Sequence, residues 1–348
     1  MSWNSFRFAI ALLGVVALLT GTDRARAAAE FEIGMQSRII QADERGGPID
    51  LGLWYPAAPG GNAETIGGNK VFAGVDAHRD APVPDEYFPL VLLSHGGLRA
   101  APGQGNWLAA ALAARGYLVV VVQAPPPAED PDAALRETWL RPADLSTALA
   151  SIMQDPAFSS HIDADRIGAI GFLRGATAAL ELAGARLDPA RFAQLCDGAP
   201  VGPDCRWFRR LGLDLHSANL EPIGRAFTDG RIRTVVAVDP ELGDRFDPTS
   251  LSSIAVPVTL INLGTADMRP PGLDAAELGQ GIPGAQTTVL PEATPFGAFS
   301  LCTPQAAALL EGEDEAVCSD RALPRAAVHR TLVETIDQAL NWGFTQSR

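Results

Sequence analysis

The 348-residue chain contains a single lysine, Lys70. A serine–lysine dyad would have to use that one residue, which lies in a glycine-rich stretch. Lysine and arginine together number 27 against 41 aspartates and glutamates, giving a formal net charge of −14. So acidic a chain repels phosphate backbones and anionic lipid, and nucleic-acid binding is not expected. The basic residues are dispersed, without the aromatic–basic stripe that holds single strands. There is no C-x-x-C, no H-E-x-x-H and no clustered His/Asp set, so no metal is expected. No G-x-G-x-x-G follows a strand and no G-x-x-x-x-G-K occurs, so no nucleotide cofactor is expected either. No apolar run reaches the length of a bilayer span.

What is present fits a folded, exported protein. Hydrophobic residues make up 47% and charged residues 20%, enough for a large core. The N-terminus reads MSWNSFRFAIALLGVVALLTGTDRARAAAE. Arg7 supplies a positive start, Phe8 to about Leu19 an apolar segment, and Ala25-Arg26-Ala27 a small-x-small cleavage site. This pattern predicts a Sec-type signal peptide over residues 1–27, a periplasmic or secreted mature chain, and no membrane span after cleavage. Export implies an oxidising compartment. Four cysteines fit that, and sequence-local pairing, Cys196–Cys205 and Cys302–Cys318, is the simplest of three connectivities.

Residues 28–348 read as one α/β domain. FEIGMQSRIIQ and IDLGLWYPA are strand candidates joined by a hairpin signal, ERGG. Residues 58–88, rich in Gly, Pro and Asp, read as a long surface loop. PLVLLSHGG and LVVVVQA are continuous apolar runs, the mark of strands buried on both faces of a parallel sheet. NWLAAALAARGY lies between them as a helix closed by Gly116. RPADLSTALASIMQ reads as a helix with its proline near the start. Residues 184–231 break the rhythm and read as an insertion capping one edge of the sheet. IRTVVAVDP, VPVTLINLGTAD and AQTTVLPEA resume the strands, and AAVHRTLVETIDQALNWGF is a terminal helix. The alternation predicts a doubly wound, mostly parallel sheet, with ligands bound beyond the carboxyl ends of its strands.

The informative stretch is RIGAIGFLRGATAAL, residues 166–180. An apolar strand runs into Gly171-Phe172-Leu173-Arg174-Gly175 and then an alanine-rich helix. This is the outline of a nucleophile elbow, G-x-S-x-G, in which a serine occupies a tight strand-to-helix turn. Here leucine stands at the centre. Neither G-x-S-x-G nor G-x-C-x-G occurs elsewhere.

Taken in order, LWYPA, PLVLLSHGG, WLRPADLSTAL, GFLRGA, the Asp239-Pro240 strand end and VPVTLINLGTAD make the chain resemble the α/β-hydrolase superfamily. More narrowly, it is similar to secreted dienelactone hydrolase-like enzymes related to platelet-activating-factor acetylhydrolase. The resemblance runs from about residue 31 to 343. It implies an α/β-hydrolase fold with an N-terminal hairpin and a cap insertion. It also implies acyl transfer by serine, histidine and an acid. Carried over by position, the nucleophile falls on Leu173, the acid on Asp267 and the histidine on Pro295. The oxyanion-hole donors fall on the backbone N–H groups of Gly97 and Arg174.

Leucine has no proton to lose and proline cannot act as a base. Loss of either group in a serine protease costs about 10⁶ in turnover. The resemblance therefore implies ester or lactone hydrolase ancestry, and the substitutions imply a catalytically defective member. Its apolar pocket floor would take a small ester-like or apolar ligand, or a partner, without turnover. The rival reading is an active hydrolase with a relocated nucleophile, Ser94, Thr177 or Ser300, with His95 as a base for Ser94. A third is a structural protein using the cap surface. The other histidines, His78, His161, His216 and His329, fall outside the loop the mechanism needs, and His329 reads as a helix-surface or packing residue. Arg141 and Asp144 read as local structural contacts. Arg174 either gives the pocket a basic spot or pairs with an acid on the surface.

Overall fold

A computed structural model describes Met1 and residues 30–98, 101–123, 125, 130–198, 203–269, 273–311, 317–318 and 323–347. The expected signal peptide, residues 1–27, lies outside the described residues apart from Met1.

Ten strands form one sheet: β1 (Glu32–Ala42), β2 (Gly47–Ala57), β3 (Asn62–Ile66), β4 (Val75–Arg79), β5 (Phe88–Ser94), β6 (Leu118–Gln123), β7 (Ile162–Phe172), β8 (Thr234–Val238), β9 (Val258–Leu263) and β10 (Gln286–Leu290). Their order is β10-β9-β8-β7-β5-β6-β2-β1-β4-β3. Six of the nine pairings are parallel; β1–β2, β2–β6 and β3–β4 are antiparallel. The β1–β2 hairpin turns at ERGG in unbroken register from Glu32–Ala57 to Ala42–Gly47.

Among the described residues the helices are, in chain order, α1 (Asn106–Ala113), α2 (Pro131–Ile152), α3 (Arg174–Leu182), α4 (Pro189–Ala193), α5 (Pro203–Arg210), α6 (Pro248–Ser252), α7 (Ala275–Gln280), α8 (Ala306–Leu309) and α9 (Arg325–Gln346). The period of two in a strand sends alternate side chains to opposite faces. Leu90 and Leu92 of β5 accordingly join the core beneath α2 and α3. Val91 and Leu93 join the one beneath α1 and α9. Where both faces are covered, as along β5, β6, β8 and the Ile167–Phe172 half of β7, the strands are almost wholly apolar.

Two expectations need correction. Residues 58–88 are not one loop, because they carry β3 and β4. These are short strands at the sheet edge, and β3 is exposed at four of its five positions, so no buried stripe marks it. The α2 helix starts ten residues earlier than RPADLSTALASIMQ indicates. Asp130 accepts from the Asp132 N–H as an N-cap and Pro131 opens the first turn, while Pro142 sits inside the helix.

The 184–231 segment carries α4, α5 and a 3₁₀ turn, Glu221–Gly224. Cys196 and Cys205 are bonded to each other, as are Cys302 and Cys318. Two disulfides fit an oxidising environment. Among the described residues, no helix is long and apolar enough to cross a membrane.

Candidate functional site

The turn between β7 and α3 is a true elbow. Leu173 has φ +56° and ψ −121°, a conformation that costs an L-residue steric strain. The neighbouring glycines make room for it. A Cβ on Gly171 would stand 2.1 Å from the Gly175 carbonyl oxygen, and one on Gly175 would stand 2.0 Å from that of Ser94. Helix and strand therefore meet backbone to backbone. Half-buried Leu173 is pinned by its N–H, which donates to Val238 O at 3.0 Å.

The two positions matched to Leu173 by family order are not drawn into a relay. Asp267 is exposed beyond β9, and its carboxylate accepts from the Thr265 hydroxyl at 2.6 Å. That bond holds its pKa below the usual carboxylate value. Pro295 opens a 3₁₀ turn, Pro295–Ala298, after β10. That turn is a docking point for aromatic donors. The Ala298 carbonyl accepts from His95 Nε2 at 2.9 Å and Trp107 Nε1 at 2.8 Å. The Phe299 carbonyl pairs with His329 Nε2 at 2.9 Å. His329, read from sequence as a surface or packing residue, is buried and stacks on Trp107 at 3.6 Å between ring centroids.

His95 serves the same packing. Its ring stacks on Phe172 at 4.6 Å and meets Phe299 edge-on at 5.1 Å. Burial pushes its pKa down to about 4, so the imidazole is neutral. A carbonyl only accepts, so Nε2 carries the proton and Nδ1 presents a lone pair. Neither ring nitrogen is hydrogen-bonded to Ser94.

Thr177 donates its hydroxyl to the Glu241 carbonyl at 2.5 Å. Buried Ser300 is fixed through its backbone, its N–H to Gln104 Oε1 at 3.0 Å and its carbonyl from Arg325 Nη1 at 2.9 Å. His78 and His216 pair with Glu32 and Asp197 at 3.5 and 2.8 Å, and His161 lies 3.3 Å from the Glu86 carbonyl. Among the described residues, no serine or threonine hydroxyl is hydrogen-bonded to a histidine.

Charge instead gathers around Arg174, the residue after the apex. Arg174 is buried, with Nη2 2.8 Å from Asp204 Oδ2 on α5 and Nε 2.9 Å from Glu241 Oε2. It is thus neither a free basic spot nor a surface pair. Arg141 donates from Nη1 to Gly96 O at 2.8 Å and from Nη2 to Gly97 O at 2.7 Å, fixing the His-Gly loop. Asp144 and Glu137 each take Arg45 at 2.5 Å. These contacts of Arg141 and Asp144 join distant segments and so are not local.

Glu241, Asp204 and Glu137 escaped the sequence reading, since nothing local marks them. So did Glu181, a buried carboxyl on α3 with neither oxygen hydrogen-bonded. Burial raises its pKa well above the ordinary glutamate value. Asp239, legible only as the Asp-Pro strand end, is buried and accepts from Asn262 Nδ2 and Leu263 N at 2.9 Å each. Burial raises its pKa to about 7.

A small cavity adjoins the His-Gly loop, lined by Ser94, His95, Gln104, Gln123, Arg141 and Asp144. It offers about 40 Å³ to the centres of water-sized molecules. That is room for a few waters rather than an ester. Leu173 does not line it. Among the described residues, no group of three or more His, Cys, Asp or Glu is placed to hold a metal ion.

No protein-family model matches the sequence, and no curated protein does. Solved structures do match. A ferulic acid esterase from Streptomyces cinnamoneus superposes with a TM-score of 0.57 at 15% identity, over 91% of each chain. Fungal esterases from Rhizomucor miehei give 0.49 at 14% identity, over 92% of this chain and 86% of theirs. A dienelactone hydrolase from Anabaena variabilis gives 0.42 at 13%, over 86% of this chain and 96% of that one. The strand order, the elbow and the esterase superposition define an α/β-hydrolase fold.

Proposed function

We propose that this protein is an exported α/β-hydrolase-fold protein of dienelactone hydrolase-like ancestry that has lost ester hydrolysis. One observation carries the reading. The elbow keeps its strained turn and both close-packed glycines, yet its apex residue is Leu173. In an acyl-transfer elbow the strain serves to present a nucleophile. Here the same geometry presents a half-buried hydrocarbon.

The surroundings support the same reading. Pro295 stands where a base would be needed, and Asp267 is held by a threonine rather than an imidazole. Ser94 and Thr177 lack a histidine partner. The resemblance assigns the oxyanion hole to the Gly97 and Arg174 N–H groups, but donors alone preserve only about 10³–10⁴-fold over water. A small ester-like or apolar ligand, if bound against Leu173 without turnover, would sit outside the small cavity beside the His-Gly loop, which Leu173 does not line. Residues 1–27, with their signal pattern, and the two disulfides support export to the periplasm or beyond.

The test is hydrolysis of short-chain p-nitrophenyl esters by the mature protein beside a heat-denatured control. The expected result is no release above the control, together with no labelling by a serine-directed fluorophosphonate. Turnover or labelling abolished by heat would overturn the reading and direct the search to Ser94.

A further inference from the structure

Beyond the elbow's missing nucleophile and base lies a third departure, and it concerns Glu241. Its Oε1 lies 3.3 Å from the point a Cβ on Gly97 would occupy. Its Oε2 lies 2.9 Å from Arg174 Nε. The carboxylate thus lies on the Cβ side of Gly97 and against the guanidinium of Arg174, the two residues to whose backbone N–H groups the resemblance assigns the oxyanion hole.

The backbone holds it there. The Glu241 N–H donates to the Leu173 carbonyl at 3.3 Å, and the Glu241 carbonyl accepts from Thr177 Oγ1 at 2.5 Å. On either side the chain turns through left-handed residues, Asp239 at φ +46° and Leu242 at φ +62°. A leucine there is strained, so the surrounding structure must impose this return of the chain over the elbow. The Glu241 side chain remains 24% exposed, so it lies at the accessible side of the elbow while Arg174, 2% exposed, lies behind.

We infer that Glu241 closes the oxyanion site, its carboxylate filling and charging the space where a substrate carbonyl oxygen would become negative. This rests on the proposed loss of ester hydrolysis and deepens it. Acyl transfer places a negative oxygen between two N–H donors, and a fixed carboxylate beside them opposes that charge. Restoring nucleophile and base alone would leave the site closed. Arg174, Arg141 and Asp204 also face this carboxylate. Burial and Asp204 raise its pKa to about 7, against the pull of the two arginines, so it is ionised at pH 8.

The test needs a nucleophile at the apex but no histidine. Among the described residues there is no free cysteine, so Leu173→Cys places a single addressable thiol at the elbow. Two reactions of that thiolate are compared at pH 8. With p-nitrophenyl acetate, sulfur attacks the carbonyl carbon, the S–C bond forms through an oxyanion, and p-nitrophenolate leaves as the C–O bond breaks. With iodoacetamide, sulfur displaces iodide at a saturated carbon and no oxyanion forms. The thiol proton goes to buffer in both.

The ratio of acylation to alkylation rate therefore isolates the oxyanion site. It is measured in L173C, L173C/E241Q and L173C/E241A, each checked for folding by its melting curve. The glutamine variant keeps the shape and a partner for Arg174, in case emptying the position unfolds the protein. The ratio is expected to rise at least tenfold in either double variant, approaching the 10²–10³ that one oxyanion donor is worth. An unchanged or lower ratio in the folded doubles would overturn the role of Glu241. Ester hydrolysis by the unmutated protein, read alongside, bears only on the loss of function itself.

Discussion

Gly175 shows how little freedom single positions at the elbow have. A methyl group there would stand 2.0 Å from a backbone oxygen of β5, and backbone cannot swing aside as a side chain can. Gly175→Ala is expected to lower stability by about 1–3 kcal/mol or more, the usual range for overpacking. Gly230, with nothing within 4 Å of its would-be Cβ, is the control, and Gly230→Ala is expected within about 0.5 kcal/mol of the parent. Urea midpoints of the two variants measure the difference; equal midpoints would contradict the close approach of β5 and α3. The reasoning also explains why GFLRG keeps its form without a serine. The glycines are demanded by packing whether or not chemistry follows, so a glycine pattern alone says nothing of activity. Residue 173 says more, because its strained backbone has no packing reason to carry a leucine.

At the scale of elements, α5 is held through two adjacent residues, one bonded within the 184–231 segment and one paired with the elbow. Cys205 is bonded to Cys196, and the preceding residue, Asp204, pairs with Arg174 at 2.8 Å. Replacing both cysteines by alanine is expected to cost about 2–3 kcal/mol for so short a loop. It should also expose the chain around 195–210 to limited proteolysis well below the melting temperature. Unchanged cleavage would mean that the ion pair holds α5 unaided. Legibility in the sequence follows the same division. β5, β6 and the Ile167–Phe172 half of β7 were plain because a strand covered on both faces is apolar on both, and the ERGG turn sat between two strand-like runs. β3 and β4 were missed because neither carries a buried stripe: β3 is the exposed edge, and of β4 only Ala77 is buried. The pairing of Arg174 with Asp204 and Glu241, and of Arg45 with Glu137 and Asp144, was illegible. Partners 30 to 99 residues apart meet only through the tertiary fold. The substituted apex at Leu173 could be read directly, but the carboxylate over the oxyanion site could not.

Across the whole molecule buried groups set how stability responds to pH; His95, held down near 4, opposes the trend below about pH 6.5, but three acids outweigh that one group. Burial lifts Asp144 to about 6 and Asp239 and Glu241 to about 7. In the unfolded chain such groups titrate near 4. Between those values the folded protein holds protons that the unfolded chain has released, so stability falls as pH rises. These three contributions are fully present below about pH 4 and are lost as pH climbs through 6 to 7. Self-repulsion of a chain with net charge −14 acts in the same direction. The urea midpoint is therefore expected to be higher at pH 5 than at pH 8. Asp239→Asn separates one contribution from the rest. Asparagine keeps an oxygen for Asn262 Nδ2 and Leu263 N but takes up no proton, so the fall between pH 5 and 8 should become shallower. Unfolding curves of both proteins at the two pH values decide the matter. A parent midpoint that is flat or rises toward pH 8 would mean that the interior stabilises these carboxylates as ions. Glu241 would then already be charged at neutral pH and would close the oxyanion site across the whole physiological range.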